Sequence, residues 1–165
     1  MRTDATAAHV DALRRTLEYV LTHPDEYDQE TFGYSRDPRD PTERATSPAC
    51  GTTFCVGGHA AVTVAGATPV WTDGYEVAPG VFQPVGLLDD VVPPGRAVDD
   101  EDAWVPVHEY AIDALGLTSR EGALLFAGNN SLVEVANYAY EFTGGRVDLR
   151  VPAAHVQRRR LAGAS

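Results

Sequence analysis

The sequence has no lysine at all: arginine supplies all 13 of its strong cations, set against 24 aspartates and glutamates, for a net charge of -11. A chain so short of basic side chains is a poor match for a phosphate backbone, whose binding runs on clustered lysine and arginine, so no nucleic-acid partner is expected. No apolar run approaches the roughly 18 residues of a membrane span, which argues against an integral membrane protein. The N-terminus MRTDATAAHVDALRR lacks the uninterrupted apolar core of a secretory signal, so a cytoplasmic location is expected. There are only 2 cysteines, and in that compartment both are expected as reduced thiols. The lysine-free bias itself points to a GC-rich genome, of the actinobacterial or phage kind.

What is present describes one ordinary domain. A chain of 165 residues, 44% of them apolar, buries roughly two-thirds of the surface its unfolded form exposes and needs no staple to fold. Its charged residues are scattered and read as a solvated surface. The expected organisation is a single globular domain over residues 1–152, followed by a flexible tail over 153–165 that carries Arg158, Arg159 and Arg160.

Hydrophobic periodicity and local stop signals place the elements. Val10, Leu13, Leu17, Val20 and Leu21 recur at helical spacing between Thr3 and His23, and Pro24 ends the pattern. Tyr27, Phe32 and Tyr34 fall in an irregular segment expected to lay aromatic rings over the core. Pro38, Pro41 and Pro48 punctuate a long polar loop. Two short β-type runs flank Asp73-Gly74, a hairpin signal. The acids Asp99, Asp100, Glu101 and Asp102 lack the alternating ligands and central glycine of a calcium loop and read as solvated. Three short helices follow: one from Pro106 with Tyr110, Ala111, Ala114 and Leu115 inward and Gly116 at its end, one from the Thr118/Glu121 capping box, and one from the Ser131/Glu134 box. Gly144-Gly145 stops the last, and RVDLRV (146–151) alternates as a half-buried strand should. The phrase LTSREGALLFAGNNSLVEVANYA superficially suggests a DNA-binding helix-turn-helix. Its second helix, however, carries Glu134, Glu141, alanine and tyrosine where base readout needs cations or amides.

The stretch PACGTTFCVGGHAAVTVAG concentrates whatever reactive chemistry the chain has. Thr52 and Thr53 are candidate N-caps of a central, small-residue helix, in which Cys55 and His59 share a face. In one reading Cys55, at the positive end of the helix dipole, is a nucleophile, with His59, His108 or His155 as its base. In a second, Cys50, Cys55 and His59 offer three zinc ligands at Cys-x4-Cys-x3-His spacing, with His9, His23, His108 or His155 as the fourth. A Cys50–Cys55 disulfide is a third, and plain apolar packing of both thiols a fourth.

CGTTFCVGGHAAVTVAG, followed some forty residues on by YAIDALGLTSREGALLF, resembles a family of small bacterial and phage proteins. Its members read Cys-Gly-Thr-x-x-Cys-(Ile/Val)-Ala-Gly-(Trp/His)-Ala and then Ala-x-x-Leu-Gly-Leu-(Thr/Ser)-x-x-Glu-Ala-x-x-Leu-Phe. The resemblance covers about a third of the chain and assigns no reaction. Because tryptophan stands at the His59 position in many members, it implies no ligand or base role there.

The expected fold is α+β and helix-dominated: the Cys55 helix enclosed by the N-terminal helix and the three later helices, with a small antiparallel sheet at one edge. The leading functional expectation is a small acidic, non-enzymatic protein-interaction module, phage- or prophage-encoded and directed at a host protein, with no cofactor. The alternatives are a cysteine-dependent hydrolase or transferase using Cys55, and a zinc-stabilised module using Cys50, Cys55 and His59.

Overall fold

In the computed structural model the described residues are 1–24, 26–29, 32–35, 52–71, 75–78, 81–83 and 86–151. Cys50, His155, the proline-rich loop, the Asp73-Gly74 turn and the 153–165 tail lie outside them. The fold is a helix-dominated α+β arrangement with a small antiparallel sheet. In chain order the elements are α1 (Ala7–Thr22), β1 (Gly33–Ser35), β2 (Thr52–Phe54), then α2, one α-turn at Val56–Gly58 that widens into a π-helix over His59–Val64. β3 (Thr68–Trp71), β4 (Tyr75–Ala78), β5 (Val81–Gln83), β6 (Gly86–Val92) and β7 (Val105–Pro106) follow, then α3 (Val107–Ala114), α4 (Ser119–Leu125) and α5 (Leu132–Phe142).

α2 is the centre. Its buried residues Val56, Ala60 and Ala61 join one cluster with Leu13 and Leu17 of α1, Leu88 and Val91 of β6, Val107 and Ala111 of α3, and Val135 and Ala139 of α5. Gly57, Gly58, Thr63 and the valines form helix poorly on their own, so this packing is what holds the element. Small residues are required where it starts. A Cβ on Gly58 would stand 1.9 Å from the Phe32 carbonyl oxygen, and the Cys55 amide donates to that same oxygen at 3.4 Å. The chain at Phe32 thus crosses the first turn of α2 at backbone contact.

The sheet runs β2-β1-β6-β3, with β7 also paired to β6, and β4-β5 forms a separate two-stranded ribbon. β6 is its central strand, although Asp89 and Asp90 interrupt its apolar run. The register explains the pair: Val70 faces Asp90 while Trp71 faces Leu88, so Asp89 is the extra residue of a β-bulge and is exposed. The bulge rephases the alternation, and Leu88 and Val91 both reach the core.

Several sequence expectations need correction. Thr52 and Thr53 do not cap α2: they lie in β2, and Cys55 is the N-cap residue, in extended conformation. Residues 33–35 are not irregular; they pair with both β2 and β6. The run 68–71 does not turn back onto 75–78 but pairs with β6, and β4 pairs with β5 instead. RVDLRV forms no strand with any of the described residues. Val147 enters the core and its amide donates to the Thr143 hydroxyl at 3.0 Å. Pro106 stands at the N-cap rather than inside α3. The cap chemistry of the later helices is as expected: both capping boxes form, and Gly116, Gly144 and Gly145 take positive φ at the ends of α3 and α5.

Candidate functional site

Two places bear on function, and they are distinct. The first is the start of α2. Cys55 is 1% exposed and His59 likewise 1%. Burial pushes the Cys55 thiol up to about 11, with the Gly57 and Gly58 amides at the helix start pulling only partly the other way. The sequence places this cysteine at the positive end of a dipole, but α2 has a single α-turn, and desolvation of the thiolate outweighs it. Cys55 is therefore a neutral thiol in a dry interior at neutral pH.

His59 is occupied on both sides of its ring. Nε2 donates to the Glu26 carbonyl at 3.2 Å, which leaves Nδ1 as the acceptor facing the Thr63 hydroxyl at 3.2 Å. Phe54 meets the ring edge-on at 5.3 Å and Tyr19 is tilted against it at 5.1 Å. Burial holds its pKa down at about 4, with the Glu26 carbonyl opposing and the neighbouring His23 adding slightly. Its hydrogen bonds are spent on joining α2 to the 26–28 segment and to the next turn. They are not aimed at a sulfur.

The remaining candidates are dispersed. His9 accepts from the Thr6 amide at 2.9 Å at the start of α1, and His23 stacks on Tyr19 at its end, 4.2 Å between centroids. His108 is exposed at the start of α3. Among the described residues no group of three or more His, Cys, Asp or Glu side chains is placed to hold a metal, and no helix is long and apolar enough to cross a membrane. Cys50 and His155 lie outside the described residues.

A buried glutamine that carries no motif does more at this locus than the histidines. Gln29, 5% exposed, donates from Nε2 to the carbonyls of Leu125 (3.0 Å) and Ala127 (3.3 Å) at the end of α4. Its Oε1 accepts from the Val56 amide (3.3 Å) and the Tyr27 hydroxyl (2.8 Å). It thereby satisfies free backbone groups at the start of one helix and the end of another. Asn130 assists from the other side, donating to Leu124 and Leu125 at 2.6 and 3.1 Å.

The second place is an open cleft of about 900 Å³ between α3 and α4. α3 contributes His108, Glu109, Ile112 and Asp113, which share one helical face, and α4 contributes Ser119, Gly122, Ala123 and the following Phe126. Phe32 enters from the strand side, edge-on to Phe126 at 5.9 Å and tilted against His108 at 6.3 Å. Gly122 lets the helices close at the bottom, since a Cβ there would stand 2.4 Å from Ile112 Cγ1. Leu117, fully buried, completes the floor. Arg2 closes one end, reaching Asp113 Oδ1 at 2.5 Å and Asp4 at 3.4 Å. Beside it the Met1 amino group pairs with Glu121 and donates to the Phe142 carbonyl at 3.3 Å.

Among the described residues Glu109 has no comparable clamp: its Oε1 is 3.9 Å from His108 Nε2, and its side chain is 65% exposed. The cleft thus has an apolar aromatic floor and one wall carrying carboxylates. It contains neither Cys55 nor His59. No protein-family model matches the chain, no curated protein matches its sequence, and no solved structure matches its fold.

Proposed function

We propose that the protein is a small acidic interaction module, directed at another protein and, given its phage-like composition and motif resemblance, at a protein of a host cell. One observation carries the reading: among the described residues a cleft with an apolar floor lies open between α3 and α4, while the candidate nucleophile Cys55 and its neighbour His59 are closed inside α2. A catalytic cysteine needs a thiolate with access to substrate. Cys55 has neither, with its pKa pushed up to about 11 at 1% exposure.

Two measurements test this. Alkylation of native protein by iodoacetamide at pH 7, followed by peptide mapping to separate Cys55 from Cys50, is expected to label Cys55 at least about 100-fold more slowly than free cysteine, from its thiolate fraction alone. Labelling at the free-cysteine rate would favour the hydrolase or transferase reading. Affinity capture from a lysate of the presumed host at physiological salt is expected to retain a partner at reproducible stoichiometry. Turnover of a substrate lost on Cys55→Ala would overturn the reading.

A further inference from the structure

We propose that the cleft between α3 and α4 receives a short amphipathic helix of the partner, with an apolar stripe flanked by arginine or lysine; this deepens the interaction reading and rests on it. The floor supplies the apolar half. Phe32, Phe126 and Ile112 are partly exposed and Ala123 is exposed, so a leucine-sized or aromatic side chain seated among them gains contact on several sides. The size fits a helix of about two turns. α3 has 8 residues and α4 has 7, giving walls of about 10–12 Å at about 1.5 Å per residue.

Charge selects the partner's flanks. Arg2 is committed to Asp113 and Asp4, whereas Glu109, one turn before Asp113, projects from the same wall with no such clamp among the described residues. The net charge of the whole chain, -11, has the same sign. An approaching basic helix is steered toward that wall and an acidic one repelled. The opposite wall, Ser119 and Ala123, is small and uncharged and leaves room for the helix backbone.

The test uses the full chain and three fluorescein-labelled 12-residue peptides. One places leucine and arginine at amphipathic helical spacing; the second replaces each arginine with glutamate, the third each leucine with alanine. Fluorescence anisotropy is expected to show binding of the first, with both others at least about tenfold weaker, and amide shifts clustered within 108–127. Ala123→Arg, which fills the cleft from an exposed position, is expected to abolish binding. Glu109→Lys is expected to weaken it about fivefold and to flatten its salt dependence. A thermal melt of each variant shows that the fold is intact.

Equal binding of the arginine and glutamate peptides, binding that survives Ala123→Arg, or amide shifts outside the cleft would overturn the proposal. So would a failure of the first peptide to bind at millimolar concentration. A host protein captured equally well by wild type and Ala123→Arg would overturn the cleft assignment while leaving the interaction reading intact. Loss of all capture with the peptide still bound would do the reverse.

Discussion

Replacing Gly58 by alanine separates helix propensity from backbone contact, because the two predict opposite signs. Gly58 has φ -61° and ψ -46°, right-handed helical values that any residue adopts, so propensity alone favours alanine by up to about 1 kcal/mol. The added methyl would instead sit 1.9 Å from the Phe32 carbonyl oxygen and 2.9 Å from Phe54 Cδ1. An ordinary C···O approach is about 3.3 Å, so the crossing chain must retreat by more than about 1 Å. That retreat breaks the Cys55-to-Phe32 hydrogen bond and drags Gly33, which is packed so closely that a Cβ there would stand 2.7 Å from Phe54 Cδ1 and 2.9 Å from Leu88 Cβ. Overpacking costs about 1–3 kcal/mol and the lost bond about 1 more. Net of propensity, Gly58→Ala is expected to destabilise by about 1–3 kcal/mol, read as a lower urea midpoint at unchanged slope. Two comparisons calibrate it. Gly57→Ala meets only ring edges, of Phe32 at 2.8 Å and Phe126 at 3.3 Å, which can swing aside, so its effect is expected to stay within about 1 kcal/mol. Gly95→Ala meets nothing within 4 Å but has φ +82°, so only the left-handed cost of about 1–2 kcal/mol applies. A Gly58→Ala protein as stable as wild type would refute the contact argument.

His59 gives a pH signature of definite sign. Its folded pKa lies near 4, below the ordinary 6.5, so the folded state takes up its proton later than the unfolded chain. The associated stability is fully present above about pH 6.5 and is lost as pH falls toward 4, up to about 3 kcal/mol. Urea unfolding at pH 7.5 and pH 5 is expected to show most of that loss, and His59→Gln to remove it; an unchanged slope in the variant would refute the assignment. Gln29→Ala, stripped of four hydrogen bonds, is expected to cost about 2–4 kcal/mol, since the Val56 amide is left buried without its acceptor. A loss under about 0.5 kcal/mol would mean that the glutamine is incidental.

The helices were legible because their ends are local chemistry. Thr118 with Glu121, Ser131 with Glu134, and glycines at the positive-φ positions each act within four residues. They are therefore visible in one sequence. The sheet was legible only as a small antiparallel element, since pairing is a property of distant segments. RVDLRV has the alternation of a strand and pairs with none of the described strands, whereas GLLDDVV loses its alternation to a bulge and becomes the central strand. Thr52 and Thr53 look like caps, yet β1 recruits them as an edge. The site was legible in part. The small residues before His59 did mark the tightest packing in the core, but nothing local shows whether a cysteine faces solvent or Phe32. Gln29 carried no signal, because its four partners come from residues 27, 56, 125 and 127. The cleft is likewise an outcome of two helices diverging over Gly122.

β1 and β7 lie along the same edge of β6, and that sharing sets an order of assembly. Val105 meets Val91 after closing about 14 residues of chain, whereas Tyr34 meets Leu87 only after about 53. Short closures are cheaper and faster, so on refolding the C-terminal half, with its hairpin-like return and three helices, is expected to dock first. The N-terminal edge zips on afterwards, trapping the diglycine turn beneath Phe32 as the latch that completes the molecule.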